Sequence, residues 1–144
     1  MVPNIYLGPT NDEMDIAVLT KNKILWEIEI KISIADWRND SKKDKWKYRS
    51  LGPQPYHPAR FYYAVPLELV KNGIPDFVIP GTGIIAVPST PTRHWCKGIR
   101  VAKAIHRNKL PQKYIEEMYN KISRRYWNHV APIKAYNGDE DYCI

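Results

Sequence analysis

The sequence predicts a single α/β domain, and three stretches carry that prediction. Residues 25–33 alternate strictly, with Trp26, Ile28, Ile30 and Ile32 on one face and Glu27, Glu29, Lys31 and Ser33 on the other, the period of two that marks a β-strand. Gly83 to Val87 reads GIIAV, an apolar run bounded by glycine and proline that suits a central buried strand. From Pro111 to about His129, Tyr114, Met118, Ile122 and Tyr126 recur every four residues. Glu116 and Glu117 lie early and Lys121, Arg124 and Arg125 late, so this stretch reads as a helix.

The 144 residues suit one domain, and 44% hydrophobic residues suffice for a core. Two cysteines, Cys96 and Cys143, give neither a disulfide framework nor paired CxxC motifs. With no membrane-length apolar run and no signal-like start, we expect a reduced, cytoplasmic protein. No internal repeat suggests a second domain.

In chain order, Pro3, Gly8 and Pro9 exclude a helix near the start and leave a short edge strand around Asn4 to Leu7 or an irregular lead-in. Met14 to Thr20 is apolar and β-branched, and Lys21-Asn22-Lys23 is a turn-sized gap before the alternating strand, so the two should form an antiparallel hairpin. That hairpin brings Asp15 towards Glu29 and Lys31. Ser33-Ile34-Ala35-Asp36 is a Ser-x-x-acid pattern that predicts a short helix beginning at the serine cap. Beyond Asp40 the chain becomes basic and aperiodic, ending in a loop with Pro53, Pro55 and Pro58. A third strand follows over Arg60 to Val65, closed by Pro66, and then a short helical turn. Gly98 to Ile105 fits a strand through Ile99, Val101 and Ile105, while Arg100, Lys103 and Arg107 fall at helical spacing; the strand is the preferred reading. The tail, NGDEDYCI, is acidic and expected to fray.

A net charge of +7 favours an anionic partner. Six basic residues lie between Arg38 and Arg49 (Arg38, Lys42, Lys43, Lys45, Lys47 and Arg49), with Trp37, Trp46 and Tyr48 among them. Six more, including Arg100, Lys103 and Arg107, lie between Arg93 and Lys109 with no acidic residue. Cations among aromatics suit phosphates and exposed bases, so both patches are candidate nucleic-acid contacts. Two solvated surfaces are the plainer alternative.

On the polar face of the alternating strand, two carboxylates and an ammonium stand in a row about 7 Å apart, a spacing able to hold a divalent metal. Asp15, thirteen intervening residues, then Glu29-Ile30-Lys31 is a D…ExK arrangement, which resembles the PD-(D/E)XK nuclease superfamily. The stretches EIKISIADWRNDSKKDK, ARFYYAVP and GIIAV are similar to its MmcB-like branch and phage and bacterial relatives, over roughly Asp15 to Val87. The resemblance implies a restriction-endonuclease-like core, a mixed sheet with flanking helices. It further implies Asp15 and Glu29 as ligands of Mg²⁺ or Mn²⁺ and Lys31 as the catalytic lysine; DNA is preferred to RNA as the expected nucleic-acid partner. Such carboxylates hold the ion through hard oxygens, and the lysine orients or helps deprotonate the attacking water. Ser33, Asp36 and Asp40 match further family-like positions.

The sequence also departs from the family. Its usual first helix is expected to be absent, with Asp12 or Glu13 as candidates to replace the acid that helix often carries, and Glu27 is an accessory candidate towards the edge of the site. A sheet face left uncovered by that loss implies a homodimer or a partner chain. The competing reading of Asp15, Glu29 and Lys31 is an ion-paired strand face without metal, which would make the chain a degenerate nuclease fold that binds nucleic acid or a protein without cleavage. His57 is a lone loop histidine, and His94 with Cys96 lacks the second pair a zinc site needs. Trp37 and Trp46 are candidates for stacking on bases, whereas Tyr62 and Tyr63 read as core.

Overall fold

The architecture follows from the alternating strand and its neighbours. In a computed structural model that describes residues 1–7, 13–43, 46, 54–90 and 96–129, six strands form one sheet in sequential order. They are β1 (Val2–Ile5), β2 (Met14–Leu19), β3 (Leu25–Ile30), β4 (Arg60–Pro66), β5 (Gly83–Val87) and β6 (Lys97–Arg100). β2 and β3 make the expected antiparallel hairpin, Ile16 facing Ile28 and Val18 facing Trp26. Lys23 takes a positive φ of 61° to close its turn. β4 and β5 then add in parallel, and β6 returns antiparallel. The fold is α/β with a mixed sheet, consistent with a restriction-endonuclease-like core.

Two helices supplement the sheet among the described residues: α1 (Ile34–Asp40) and α2 (Gln112–His129). Ser33 caps α1 as its sequence pattern predicts, its hydroxyl oxygen accepting from the Asp36 N–H at 3.2 Å. A single 3₁₀ turn at Leu67–Leu69 follows Pro66. The described residues ahead of Asp15 hold the edge strand β1 and no helix. In the stretch 98–105 only the first half is a strand, and residues 101–104 run irregularly. There the chain is held by single bonds, Lys103 N–H to Gly81 O and Ile105 N–H to Ala59 O, instead of a ladder.

Both core clusters lie on the charged side of β3. Leu110, Ile115 and Met118 pack with Ile5, Leu7, Met14 and Leu25, and Trp37 of α1 packs with Phe61, Tyr63, Val78 and Ile84. Burying each such side chain contributes roughly 1.5–3 kcal/mol. The charged face of β3 is therefore its inner face, against the usual expectation that a strand's polar side meets water. Glu27, Glu29 and Lys31 are buried, whereas Ile30 and Ile32 are exposed. The reason is tertiary: α1 and α2 both land on the charged side, and paired charges tolerate that burial. Trp37 is likewise corrected from a base-stacking candidate to a core residue, only 1% exposed and edge-on to Tyr63.

On the opposite face Tyr62 lies over Gly83 and beside Trp26, their ring centroids 5.7 Å apart. A Cβ at Gly83 would collide with the Tyr62 ring and come within 2.9 Å of the Ala102 backbone nitrogen. Gly83→Ala should lower stability by about 1–3 kcal/mol, read from the urea midpoint; an unchanged midpoint would refute this close approach.

Candidate active site

The site is built where β2, β3 and α1 meet. Continuing the β2–β3 register one step beyond Ile16 and Ile28 sets Asp15 opposite Glu29, and alternation puts Lys31 on the same face as Glu29. Asp15 Oδ2 accepts the Ile30 N–H at 2.8 Å, so its carboxylate is fixed to the end of β3. From the other side, α1 delivers Asp40 from its last turn.

Glu29, Lys31, Asp40 and Lys43 form a compact ionic network. Lys31 Nζ lies 3.0 Å from Glu29 Oε2 and 3.1 Å from Asp40 Oδ1. Lys43 Nζ closes the cluster at 2.7 Å from Asp40 Oδ1 and 3.6 Å from Glu29 Oε2. Tyr63 of β4, the ladder partner of Glu29 in β3, donates its hydroxyl proton to Asp40 Oδ2 at 2.8 Å. Two carboxylates and two ammonium groups thus balance, which lowers the penalty of burying them. Lys43 is the exception to burial, its side chain half exposed.

Burial disfavours the charged form of Lys31, but the hydrogen bond it donates to Glu29 and the attraction of Glu29 and Asp40 outweigh it. Its pKa is raised above the ordinary lysine value. Lys43 is raised too, burial being opposed by its hydrogen bond to Asp40 and the charge of Glu29. Lys31 is therefore an ammonium at neutral pH.

The accessory candidates separate. Glu27 is buried two residues back, opposite Ala17 and Phe61. Exposed Glu13 accepts from the Tyr6 hydroxyl at 2.9 Å, and Asp12 lies outside the described residues. Ser33 and Asp36 serve the cap of α1.

Among the basic candidates, Arg38 lies over the Phe77 ring and Lys42 is exposed beside Asn39. Arg100 is held by Thr82 O at 2.7 Å and by the Thr82 hydroxyl at 3.0 Å, so it braces the 79–82 loop, while Lys103 and Arg107 are exposed. Lys45, Lys47 and Arg49 fall outside the described residues, as do Tyr48 and His94. Sequence reasoning left Asp40 without a definite role and missed the Tyr63 hydroxyl. The Asp40–Lys43 spacing of three was the available signal.

Among the described residues, no group of three or more His, Cys, Asp or Glu side chains is arranged to hold a metal ion. The candidate donor set is the Asp15–Glu29 pair.

No family model and no curated protein matches this chain. A solved structure does resemble it, that of the SPO1766 protein of unknown function from Silicibacter pomeroyi. The two share 17% sequence identity at a TM-score of 0.63, over 99% of this chain and 84% of that one. The likeness establishes a shared fold. No helix of the described residues is long and apolar enough to cross a membrane.

Proposed function

We propose that the chain is a metal-dependent nuclease that hydrolyses phosphodiester bonds of DNA through Asp15, Glu29 and Lys31. The observation that supports this reading is the cross-strand register, which sets Asp15 opposite Glu29 with Lys31 two residues further on the same face. Two carboxylates offer the hard oxygens that Mg²⁺ or Mn²⁺ prefers, so Asp15 and Glu29 fit as its ligands. The ion, when bound, supplies Lewis-acid polarisation of a phosphate oxygen and a more acidic water.

The protein groups have separable tasks. Lys31, held as an ammonium by Glu29 and Asp40, suits orienting the attacking water and offsetting charge that develops on the phosphate, and its raised pKa argues against a role as general base. Asp40 and Tyr63 are positioning residues that fix the ammonium from the α1 and β4 sides. Lys43, half exposed, is the member of the cluster best placed to turn outwards to a phosphate.

The test is incubation with plasmid, linear and single-stranded DNA in Mg²⁺ or Mn²⁺ against EDTA, cleavage confined to the metal arms being expected. A second reading is favoured by the burial of Glu29 and Lys31 in ion pairs. In that reading the fold is catalytically degenerate and binds nucleic acid or a partner without cutting, so no arm yields product.

The nuclease reading and a degenerate fold that binds nucleic acid share a prediction about binding. If about five phosphates are neutralised by residues such as Lys42, Lys103 and Arg107, affinity for duplex DNA should fall more than about a hundredfold between 50 and 200 mM salt. A flat salt response would remove nucleic acid as the partner.

A further inference from the structure

We infer that the segment 103–113 and the β2–β3 turn together anchor the phosphate backbone of a polynucleotide, at the end of the sheet opposite the candidate active site. This deepens the nuclease reading and rests on it for the position of the scissile phosphate. The chain between β6 and α2 is tied across the starts of three strands. Lys103 N–H donates to Gly81 O ahead of β5, Ile105 N–H to Ala59 O ahead of β4, and Leu110 N–H to Lys23 O ahead of β3. Ala102 and Leu110 are buried, and His106 Nε2 lies 3.1 Å from His57 O. The crossing segment is thus pinned at both ends and between them.

Its outer side carries one sign of charge. Lys103, Arg107, Lys109 and Lys113 are exposed, and the turn adds exposed Lys21 and Lys23. No Asp or Glu occurs between Asp76 and Glu116, and among the described residues none of these six cations pairs with a carboxylate. Further along α2 the surface differs, Lys121 being matched by Glu117 at 2.6 Å. Cations crowded without counter-charge repel one another, and a polyanion that sheds its own counterions relieves the repulsion. They follow the segment in a row past neighbouring strands about 4.8 Å apart. A row of that kind fits one phosphate backbone better than a compact anion.

The sheet register fixes how far this row lies from the chemistry. Leu25, at the start of β3, accepts the Ala59 N–H, whereas Glu29 and Lys31 lie further along the chain in the strand direction, roughly 13–20 Å away at ~3.3 Å per residue. No lysine or arginine side chain bridges that gap. The fold therefore parts the two basic stretches of the sequence. Lys43 stands in the ionic cluster, and the crossing segment serves a phosphate about four to six base pairs from the one cut, at ~3.4 Å per pair. The substrate is then a polynucleotide with that reach, not a dinucleotide.

The test is fluorescence anisotropy of a labelled 24-base-pair duplex with three proteins: the wild type, Arg107→Glu with Lys109→Glu, and the charge-matched Lys71→Glu with Arg124→Glu. All four positions are exposed, and circular dichroism checks that both variants fold. The Arg107 and Lys109 changes should weaken binding at least about tenfold more than the matched pair and lower the log–log salt slope by about 2. Where the duplex is cut, they should raise KM and leave kcat, while a hairpin of three base pairs, too short to reach, is cut alike by wild type and variant. A protein that binds in this way and cuts nothing removes the nuclease reading and keeps the anchor. Equal losses in both variants, or full affinity after the Arg107 and Lys109 changes, would overturn the inference, as would a fall in kcat. Binding of phosphatidylcholine–phosphatidylglycerol vesicles through these residues, without binding of the duplex, would overturn it in favour of an anionic membrane surface.

Discussion

Replacing Lys31 with methionine should abolish cleavage, by about 10²–10⁴-fold in the chemical step, and lower stability by about 3–5 kcal/mol near neutral pH. Lys31 is 4% exposed between Glu29 and Asp40, and removing one partner of a buried ion pair leaves uncompensated charge. Because its folded pKa is raised, the native contribution is complete below the unfolded lysine value of about 10.4 and is lost as pH rises through the folded value. Wild type should therefore lose stability above about pH 10.4 more steeply than the variant. The variant should instead recover towards acid pH, where protonation relieves the repulsion between its carboxylates. Melting temperatures from pH 4 to 11 check both limbs. Parallel curves for the two proteins would mean that the ion pairs do not form, and Lys31→Arg, which keeps the charge, should retain most of the stability.

Asp15→Asn should show the opposite balance. Asp15 is only partly buried, and its described bond is to the Ile30 N–H, which asparagine's carbonyl can still accept. Stability should fall by no more than about 1 kcal/mol. Cleavage should nonetheless drop to background in Mg²⁺, because a charged ligand is gone, with partial rescue at high Mn²⁺. Cleavage rates over a metal titration, alongside urea midpoints, measure the two effects separately. Full activity in Asp15→Asn would remove it from the site.

The strands were legible because their signals are local. The alternation of 25–33, the GIIAV run and the Pro66 stop each specify extended backbone, and the register of a short hairpin follows from its turn. Ser33 announced α1 through its own side chain. What the sequence did not disclose is which face of β3 is inside, since a period of two is the same for either choice. That depends on where α1 and α2 land. The charged face reads as solvated until Asp40 and Lys43, brought in by α1 and the turn after it, neutralise Lys31 and Glu29. The Tyr63 hydroxyl was missed for a similar reason: its ring belongs to the core, and its polar tip finds Asp40 only in the folded chain. Conversely, Asp15 opposite Glu29 was predictable, because antiparallel pairing across a three-residue gap leaves little freedom.

The central claim is that Asp15 and Glu29 together hold a divalent ion, and calorimetric titration of Mn²⁺ into the wild type, Asp15→Asn and Lys31→Met tests it most directly. The account predicts about one ion per chain for the wild type, much weakened binding in Asp15→Asn, and binding kept in Lys31→Met, where Mn²⁺ also raises the melting temperature. A wild type that takes up no Mn²⁺ at millimolar concentration, or an Asp15→Asn variant that binds it unchanged, would contradict the account.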